Sequence, residues 1–357
     1  MADPPVAVTR RRRGAIGLVL ALAAILVVAG VVAGAVTLAS RPGSSPPPAP
    51  RSLDTKTSCV YTGGTTAGLA SFAQLTGQPV NCVLVYDDSN ATWSQWADPW
   101  FAQSKYDWQP WLRADPAGRR VVISQEMIPD QVPSNWRELG ADGAYDRYAR
   151  ELAANLVAAG MGNAVIRLGH EMNGSWYQDN VGNDPAQYQA WDAYWVQIVK
   201  TMRSVPGAHF VFDWNISTGG RDIPFSSYYP GNDVVNVIGV DVYDSDVPGD
   251  PSDPAVRWTS LENKPGGLGQ IVAFARQHGK PLSFPEWGVV SAEDGGLGDD
   301  SVFAAGIATV IKDNKVLYQA YFDHATGGVL TLADAPRTLR VWEQYFGRRG
   351  VINERPW

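Results

Sequence analysis

Two glutamates, far apart in the chain, each stand where a short apolar run stops. The first lies in VIRLGHEMNGSWY, Val165 to Tyr177. Ala164 to Leu168 reads as a buried strand that ends at Gly169. His170, Glu171, Asn173, Trp176 and Tyr177 come directly after it. The second glutamate lies in KPLSFPEWGV, Lys280 to Val289, where Leu282 to Phe284 runs into Glu286 beside an aromatic and a glycine. Two strand-end carboxyls on different strands have the parts for retaining glycoside hydrolysis. One serves as acid and base, and the other as nucleophile about 5–5.5 Å away. The indole of Trp176 would give a sugar ring an apolar face. The blander reading of either glutamate alone is a loop cap; the pair favours chemistry.

The elements that must position this pair alternate in type. Apolar runs at Val60–Thr62, Val83–Tyr86, Val121–Ser124, Ala164–Leu168, Phe210–Phe212, Val237–Val242, Leu282–Phe284 and Leu317–Phe322 read as strands. Amphipathic stretches lie between them, clearest at Ala144–Ala159, Ala186–Arg203, Leu268–Gln277 and Ser301–Lys312. The pattern predicts an α/β fold, a (β/α)8 TIM barrel. Glu171 then comes after the fourth strand and Glu286 after the seventh. Both sit at the strand ends where such barrels carry their chemistry.

An acid must arrive protonated and a nucleophile ionised. An ionised Glu286 would raise the pKa of Glu171 by like-charge repulsion. Arg167 lies an even number of residues before Glu171, so both face the barrel interior. It would keep a carboxylate charged from below, or form a structural ion pair with Asp241. Trp176 is the expected platform beside the cleavage point, and Asn173 an expected substrate-binding amide. Trp214, Tyr228 and Trp287 are further platform candidates, or core. Asp213 and Asn215 are expected at the mouth, binding hydroxyls. Trp93, Trp96, Trp100, Trp108 and Trp111 crowd the segment after the second strand, as a distal subsite or a helix packed on the barrel. His170-Glu171 opens like the zinc signature H-E-x-x-H, but Gly174 takes the place of the second ligand. Neither metal nor cofactor is expected.

RLGHEMNGSWY resembles the acid/base segment of family 26 glycoside hydrolases, and PEWG resembles their nucleophile segment. YYPGNDVVNVIGVDVYD, Tyr228 to Asp244, resembles their tyrosine-bearing sixth strand. The resemblance implies Glu171 as acid/base and Glu286 as nucleophile. It also implies Tyr243 as a hydrogen-bond donor to that nucleophile, and His170 as a contact to a sugar hydroxyl or to the nucleophile. The implied substrate is a β-linked polysaccharide: β-1,4-mannan, mixed-linkage β-glucan or β-xylan. The eighth strand ends Tyr321-Phe322-Asp323-His324, without the Trp the family usually offers there. A non-catalytic carbohydrate-binding barrel is the rival reading, and trimming of a self-made exopolysaccharide a second role.

The N-terminal part reads differently. Residues 1–13 form a basic tail with four consecutive arginines, Arg10 to Arg13, and residues 14–40 carry no charge. Such a run is long enough to span a bilayer. The basic flank predicts a cytoplasmic N-terminus and an exported remainder. A cleaved signal peptide is the alternative. Residues 41–56 hold a Pro/Ser-rich linker, and residues 57–357 the catalytic domain. Beyond Arg51 the chain holds 23 basic and 35 acidic residues, net −12. That balance argues against nucleic acid and suits a neutral ligand. Cys59 and Cys82 each precede or begin a strand-like run. On adjacent parallel strands they would form a disulfide in an oxidising compartment. The expected location is the cell membrane, with the domain outside. The full chain should fractionate with membranes; native protein in the medium with an N-terminus beyond Ala39 would contradict the anchor.

Overall fold

Eight runs rich in Val, Ile, Leu, Tyr and Phe become eight parallel strands: β1 (Thr57–Tyr61), β2 (Cys82–Asp87), β3 (Arg120–Gln125), β4 (Val165–Leu168), β5 (Val211–Ser217), β6 (Val237–Tyr243), β7 (Leu282–Gly288) and β8 (Val316–Phe322). In the computed structural model each pairs with its sequence neighbour, and β8 pairs with β1, which closes the barrel. The structure describes residues 56–87, 90–347, 350 and 352–354. The expected membrane segment at 14–40 lies outside them. Among the described residues, no helix is long and apolar enough to cross a membrane.

The helices form where their sequences can start and stop them. Asp184 caps Pro185–Arg203 by accepting from the N–H groups of Ala186 and Gln187. Asp253 and Asp300 cap Pro254–Asn263 and Ser301–Asp313 in the same way. Each cap satisfies N–H groups that the first helical turn leaves unpaired. Trp191, Trp195, Trp214, Trp287 and Trp342 are fully buried in the apolar layer between strands and helices. Much of the chain's tryptophan therefore fills the wide shell of a large barrel.

The inward faces are graded. Cys59, Cys82, Leu84, Val122, Val165, Val211 and Val237 make an apolar cluster of their own. Further along the strands, inward positions turn polar: Ser124, Arg167, Asp213, Asn215, Asp241 and Ser283, all fully buried. This explains the main departure from the expected strands. The apolar runs at Phe210–Phe212 and Leu282–Phe284 continue as strand through Ser217 and Gly288. Inside a closed barrel, polar side chains from facing strands satisfy one another, so strand pairing outlasts the apolar pattern. Gly239 marks the crowding. A Cβ there would lie 2.4 Å from Asp213 Oδ1 and 2.9 Å from Asn215 Nδ2.

Cys59 and Cys82 are bonded to each other across β1 and β2, 23 residues apart and both buried. The cross-link ties the first two strands together inside the barrel. By loop-closure entropy, replacing both cysteines with serine should lower unfolding free energy by roughly 3 kcal/mol. Denaturant titration of oxidised parent and variant checks this.

Candidate active site

β4 ends at Leu168, and the chain must turn sharply to bring His170 and Glu171 over the barrel. Gly169 makes the turn at φ +61°, where a Cβ would press within 2.9 Å of Met127 Sδ. Its N–H still pairs with Gln125 O of β3 at 2.8 Å. Glu171, two residues on, sits at φ 52°, in the left-handed region that non-glycine residues avoid. Such backbone costs of order 1–3 kcal/mol and persists only where the surroundings over-determine it. Here Gly174 N–H bonds back to Glu171 O at 2.8 Å, and Glu171 N–H reaches Asn215 Oδ1 at 3.3 Å.

Arg167 stands beneath, buried with no exposure. Its Nη1 donates to Ser124 Oγ at 2.5 Å. Its Nη2 lies 2.8 Å from Asn215 Oδ1, 2.6 Å from Asp241 Oδ2 and 2.8 Å from Glu286 Oε1. The two expectations for Arg167 are therefore met together: it pairs with Asp241 and also lies under Glu286. The other Glu286 oxygen accepts from the Tyr243 hydroxyl at 3.1 Å. Asn215 Nδ2 donates to Asp241 Oδ1 at 3.1 Å.

These contacts divide the two glutamates. Burial acts to raise the pKa of Glu286, but the Arg167 guanidinium, His170 and the Tyr86 hydroxyl together hold the carboxyl below its ordinary value. For Glu171, burial and then the charge of Glu286 push the pKa up to about 8, against the hydrogen bond from Trp176. That bond runs from Trp176 Nε1 to Glu171 Oε2 at 2.5 Å. One oxygen each of Glu171, Asp241 and Glu286 lie within 4.8 Å of one another. Three carboxylates so close are a donor set a cation could use, but the Arg167 guanidinium already binds two of them.

His170 is buried against the rings of Tyr86 and Tyr177, with centroids at 5.7 and 4.5 Å. Burial, then Arg167, lowers its pKa to about 3, so the ring is neutral. Both ring nitrogens lack a hydrogen-bond partner. A neutral imidazole has one donor and one acceptor nitrogen, the pairing a sugar hydroxyl needs. Trp176 is 39% exposed, so its ring is accessible to a ligand while its N–H is held by Glu171.

Several expected binding residues are elsewhere. Trp214 and Trp287 are fully buried in the layer between strands and helices and cannot serve as sugar platforms. Their indole N–H groups go to Tyr228 O and Gln319 Oε1. Tyr228 is equally buried. Asn173 is also corrected. Its amide donates to Ser217 O and accepts from Ser217 N–H, both at 2.9 Å, tying the loop after β4 to the end of β5. Asp213 lies within the barrel, not at its mouth, accepting from Ser283 Oγ and the Tyr318 hydroxyl. Asn215 bonds to Arg167 and Asp241. Of the tryptophans after β2, Trp96 and Trp108 are packed, and Trp100 Nε1 bonds to Tyr86 O at 2.9 Å.

Sequence reasoning missed Tyr86. Its ring stands 5.9 Å from the Arg167 guanidinium, and its buried hydroxyl faces Glu286 and helps to keep that carboxyl ionised. Alternation carries the signal, since Cys82, Leu84 and Tyr86 share one face of β2.

A profile described as Glycosyl hydrolase family 26 matches residues 144–254, which include Arg167, Glu171, Asp241 and Tyr243. Over those residues the chain is similar to the family 26 glycoside hydrolases. A mannan endo-1,4-beta-mannosidase of Bifidobacterium adolescentis is 25% identical over 201 residues, 54% of this chain. The chain spans 19% of that relative's length. A family 26 beta-mannanase from Bacteroides ovatus superposes with TM-score 0.57 at 15% identity, covering 81% of this chain and 88% of its own. A Bacillus subtilis mannanase does so with TM-score 0.53 at 15% identity, covering 82% and 86%. At that identity the superpositions speak for the fold.

Arg167→Met should remove the one cation between two buried carboxylates and cost about 3–5 kcal/mol at neutral pH. Burial already holds the Asp241 pKa well above its ordinary value against the pull of Arg167; without the guanidinium it rises further, and that of Glu286 crosses from below its unfolded value to above it. Their destabilising effect then grows as pH rises through the ordinary carboxylate range. The gap to the natural chain should therefore narrow below about pH 4, near the ordinary carboxylate pKa. Urea titrations at about pH 7 and about pH 3.5, on either side of that range, measure both values.

Proposed function

We propose that this chain is a retaining, endo-acting glycoside hydrolase that cleaves a β-linked polysaccharide of the β-1,4-mannan type. Glu171 is its acid/base and Glu286 its nucleophile. One observation carries the reading: two carboxyls, with oxygens within 4.8 Å, are pushed to opposite protonation states. Inverting enzymes hold their carboxyls about 6.5–9.5 Å apart, so the short approach supports retention. The related mannan endo-1,4-beta-mannosidase supports the substrate class, with mixed-linkage β-glucan and β-xylan as the next candidates.

In the first step a Glu286 oxygen attacks the anomeric carbon. The glycosidic C–O bond breaks, and the Glu171 proton passes to the departing oxygen. Arg167 and Tyr243 keep the Glu286 charge in place until it is shared with the sugar. In the second step water gives a proton to Glu171 and its oxygen to the anomeric carbon, which frees Glu286. His170 is placed to bind a hydroxyl of the sugar being cleaved, and Trp176 to stack on a ring while holding Glu171. The missing tryptophan after β8 favours one rival, a binding protein without turnover. The proposed location is the outer face of a membrane, with residues 14–40 as anchor.

Turnover needs Glu171 protonated and Glu286 ionised. Activity should fall as pH rises through about 8, where Glu171 loses its proton. It should fall on the acid side only below the ordinary carboxylate range. Glu286→Ala should abolish hydrolysis of β-mannan. Glu171→Ala should spare glycosylation by an aryl glycoside with a good leaving group, accumulate glycosyl-enzyme, and be rescued by azide with retained configuration. Losses under the roughly 10²-fold typical of general acid–base catalysis in both variants would reject the reading.

A further inference from the structure

An arginine on the loop after β5 grips the loop after β4. Val181 N–H bonds to Met172 O at 2.9 Å, so the stretch between them closes on itself, with Trp176 and Tyr177 at its middle. Arg221 lies across the neck of this loop. Its backbone N–H and its Nε both donate to Asn173 O at 3.0 Å. Its Nη2 reaches Gly174 O at 3.0 Å and Asn180 Oδ1 at 3.5 Å. Its Nη1 reaches Gly182 O at 2.6 Å and Asn183 Oδ1 at 2.9 Å. We propose that Arg221 is a positioning residue for Glu171: it clasps the neck of the loop and so fixes the Trp176 indole on that carboxyl. The inference rests on the reading of Glu171 as acid/base.

A short chain of contacts joins the two residues. The Trp176 indole lies on the Gly174 backbone, where a Cβ would come within 2.6 Å of the ring. The carbonyl of that same glycine accepts from Arg221. The indole N–H in turn reaches Glu171 Oε2 at 2.5 Å. A shift of the neck therefore moves the peptide, the ring and the donor together. The close approach of the two loops is built in as well. A Cβ on Gly220 would lie 2.3 Å from Asn173 Nδ2, so the glycine lets the Arg221 loop press against the neck.

The chemistry of the clasp suits arginine. All of these acceptors are neutral, so geometry rather than a counter-charge holds the guanidinium in place. Its planar fork spreads donors widely enough to serve both sides of the neck. A lysine ammonium keeps the charge but gathers its donors on one atom. An arginine that only anchored a surface loop would affect stability alone. One that sets the indole on Glu171 also governs how that carboxyl gives its proton and how far water reaches it.

Arg221→Lys in the full chain is the test. Turnover of β-mannan should fall at least about tenfold, because the acid is misplaced. Glycosyl-enzyme formation from an aryl β-mannoside with a good leaving group, read as a burst, should stay within about twofold, since that step needs little proton donation. The alkaline limb of the mannan profile should move below about pH 8, because burial is the main cause of the raised Glu171 pKa and a loosened loop admits water. Glu286, Asp241 and Asp246, the acids that face Glu171 from β7, β6 and the loop after β6, stay unaltered. Adding Trp176→Phe should cost no more than the larger single loss, as both changes act through one bond. Equal losses on the two substrates, an unmoved alkaline limb or additive losses would overturn the proposal. Hydrogen exchange gives a readout without turnover. The amides of Gly174 and Val181, bonded to Glu171 O and Met172 O, should exchange at least about tenfold faster in the variant. If Arg221→Lys does not fold, Asn183→Ala removes one acceptor at an exposed position. It should show the same changes in smaller degree, and no change would count against the clasp. Absence of hydrolysis by the natural chain would sink the catalytic reading, whereas unchanged exchange in the variant would sink the clasp, so the two failures are told apart.

Discussion

A buried guanidinium that must find acceptors organises this barrel. Arg167 has no exposure, and its contacts come from β3, β5, β6 and β7. An unpaired charge at that depth would cost several kcal/mol, so the surrounding strands supply Ser124, Asn215, Asp241 and Glu286. Each of these is itself a polar group that could not stay buried alone. The arrangement holds only as a set, and this is why the inward pattern of β5 and β6 stays polar where the outer faces remain apolar. Gly239 belongs to the same constraint. It leaves the space in which Asp213 and Asn215 approach β6.

The Glu171 arm depends on the same set by a second route. Glu171 sits in an unfavourable backbone region, and the side chain that receives its N–H is Asn215, which also accepts from Arg167. The carbonyl end of that amide thus joins the backbone under one glutamate to the cation under the other. Asn173 then ties the loop after β4 to the end of β5. The loop that carries Glu171 is held at its start by Gly169 pairing with β3 and further along by Asn173. Its sequence, rich in Gly, Asn and Ser, offers little apolar packing, so hydrogen bonds pin it instead.

Charge is graded from the interior outward. The interior balances one Arg against nearby carboxyls, the cleft walls are acidic, and the domain beyond Arg51 carries net −12. A neutral polysaccharide meets no penalty in such a field. The end of β8 offers Phe322 and His324 around Tyr61, in place of an indole. The aromatic surface of the cleft is thus weighted towards Trp176, on the β4 side.

The sequence by itself determined the element order, the two glutamates at the ends of β4 and β7, and the Cys59–Cys82 pairing. These rest on local signals: apolar runs of strand length, amphipathic stretches, and residue types whose chemistry is specific. It also put Arg167 and Asp241 on inward faces through simple alternation. Tertiary structure decided which polar groups meet. Trp214, Trp287 and Trp176 are the same residue type near strand ends, yet two are sealed under helices and one is open. Burial depends on what packs from outside the strand, and no local pattern carries that. Asn173 and Asn215 show the same limit. Both read as sugar-binding amides, and each bonds to a partner far off in the chain, Ser217 for one and Arg167 for the other. An amide's role is set by the nearest unsatisfied group in space, which closure of the barrel supplies.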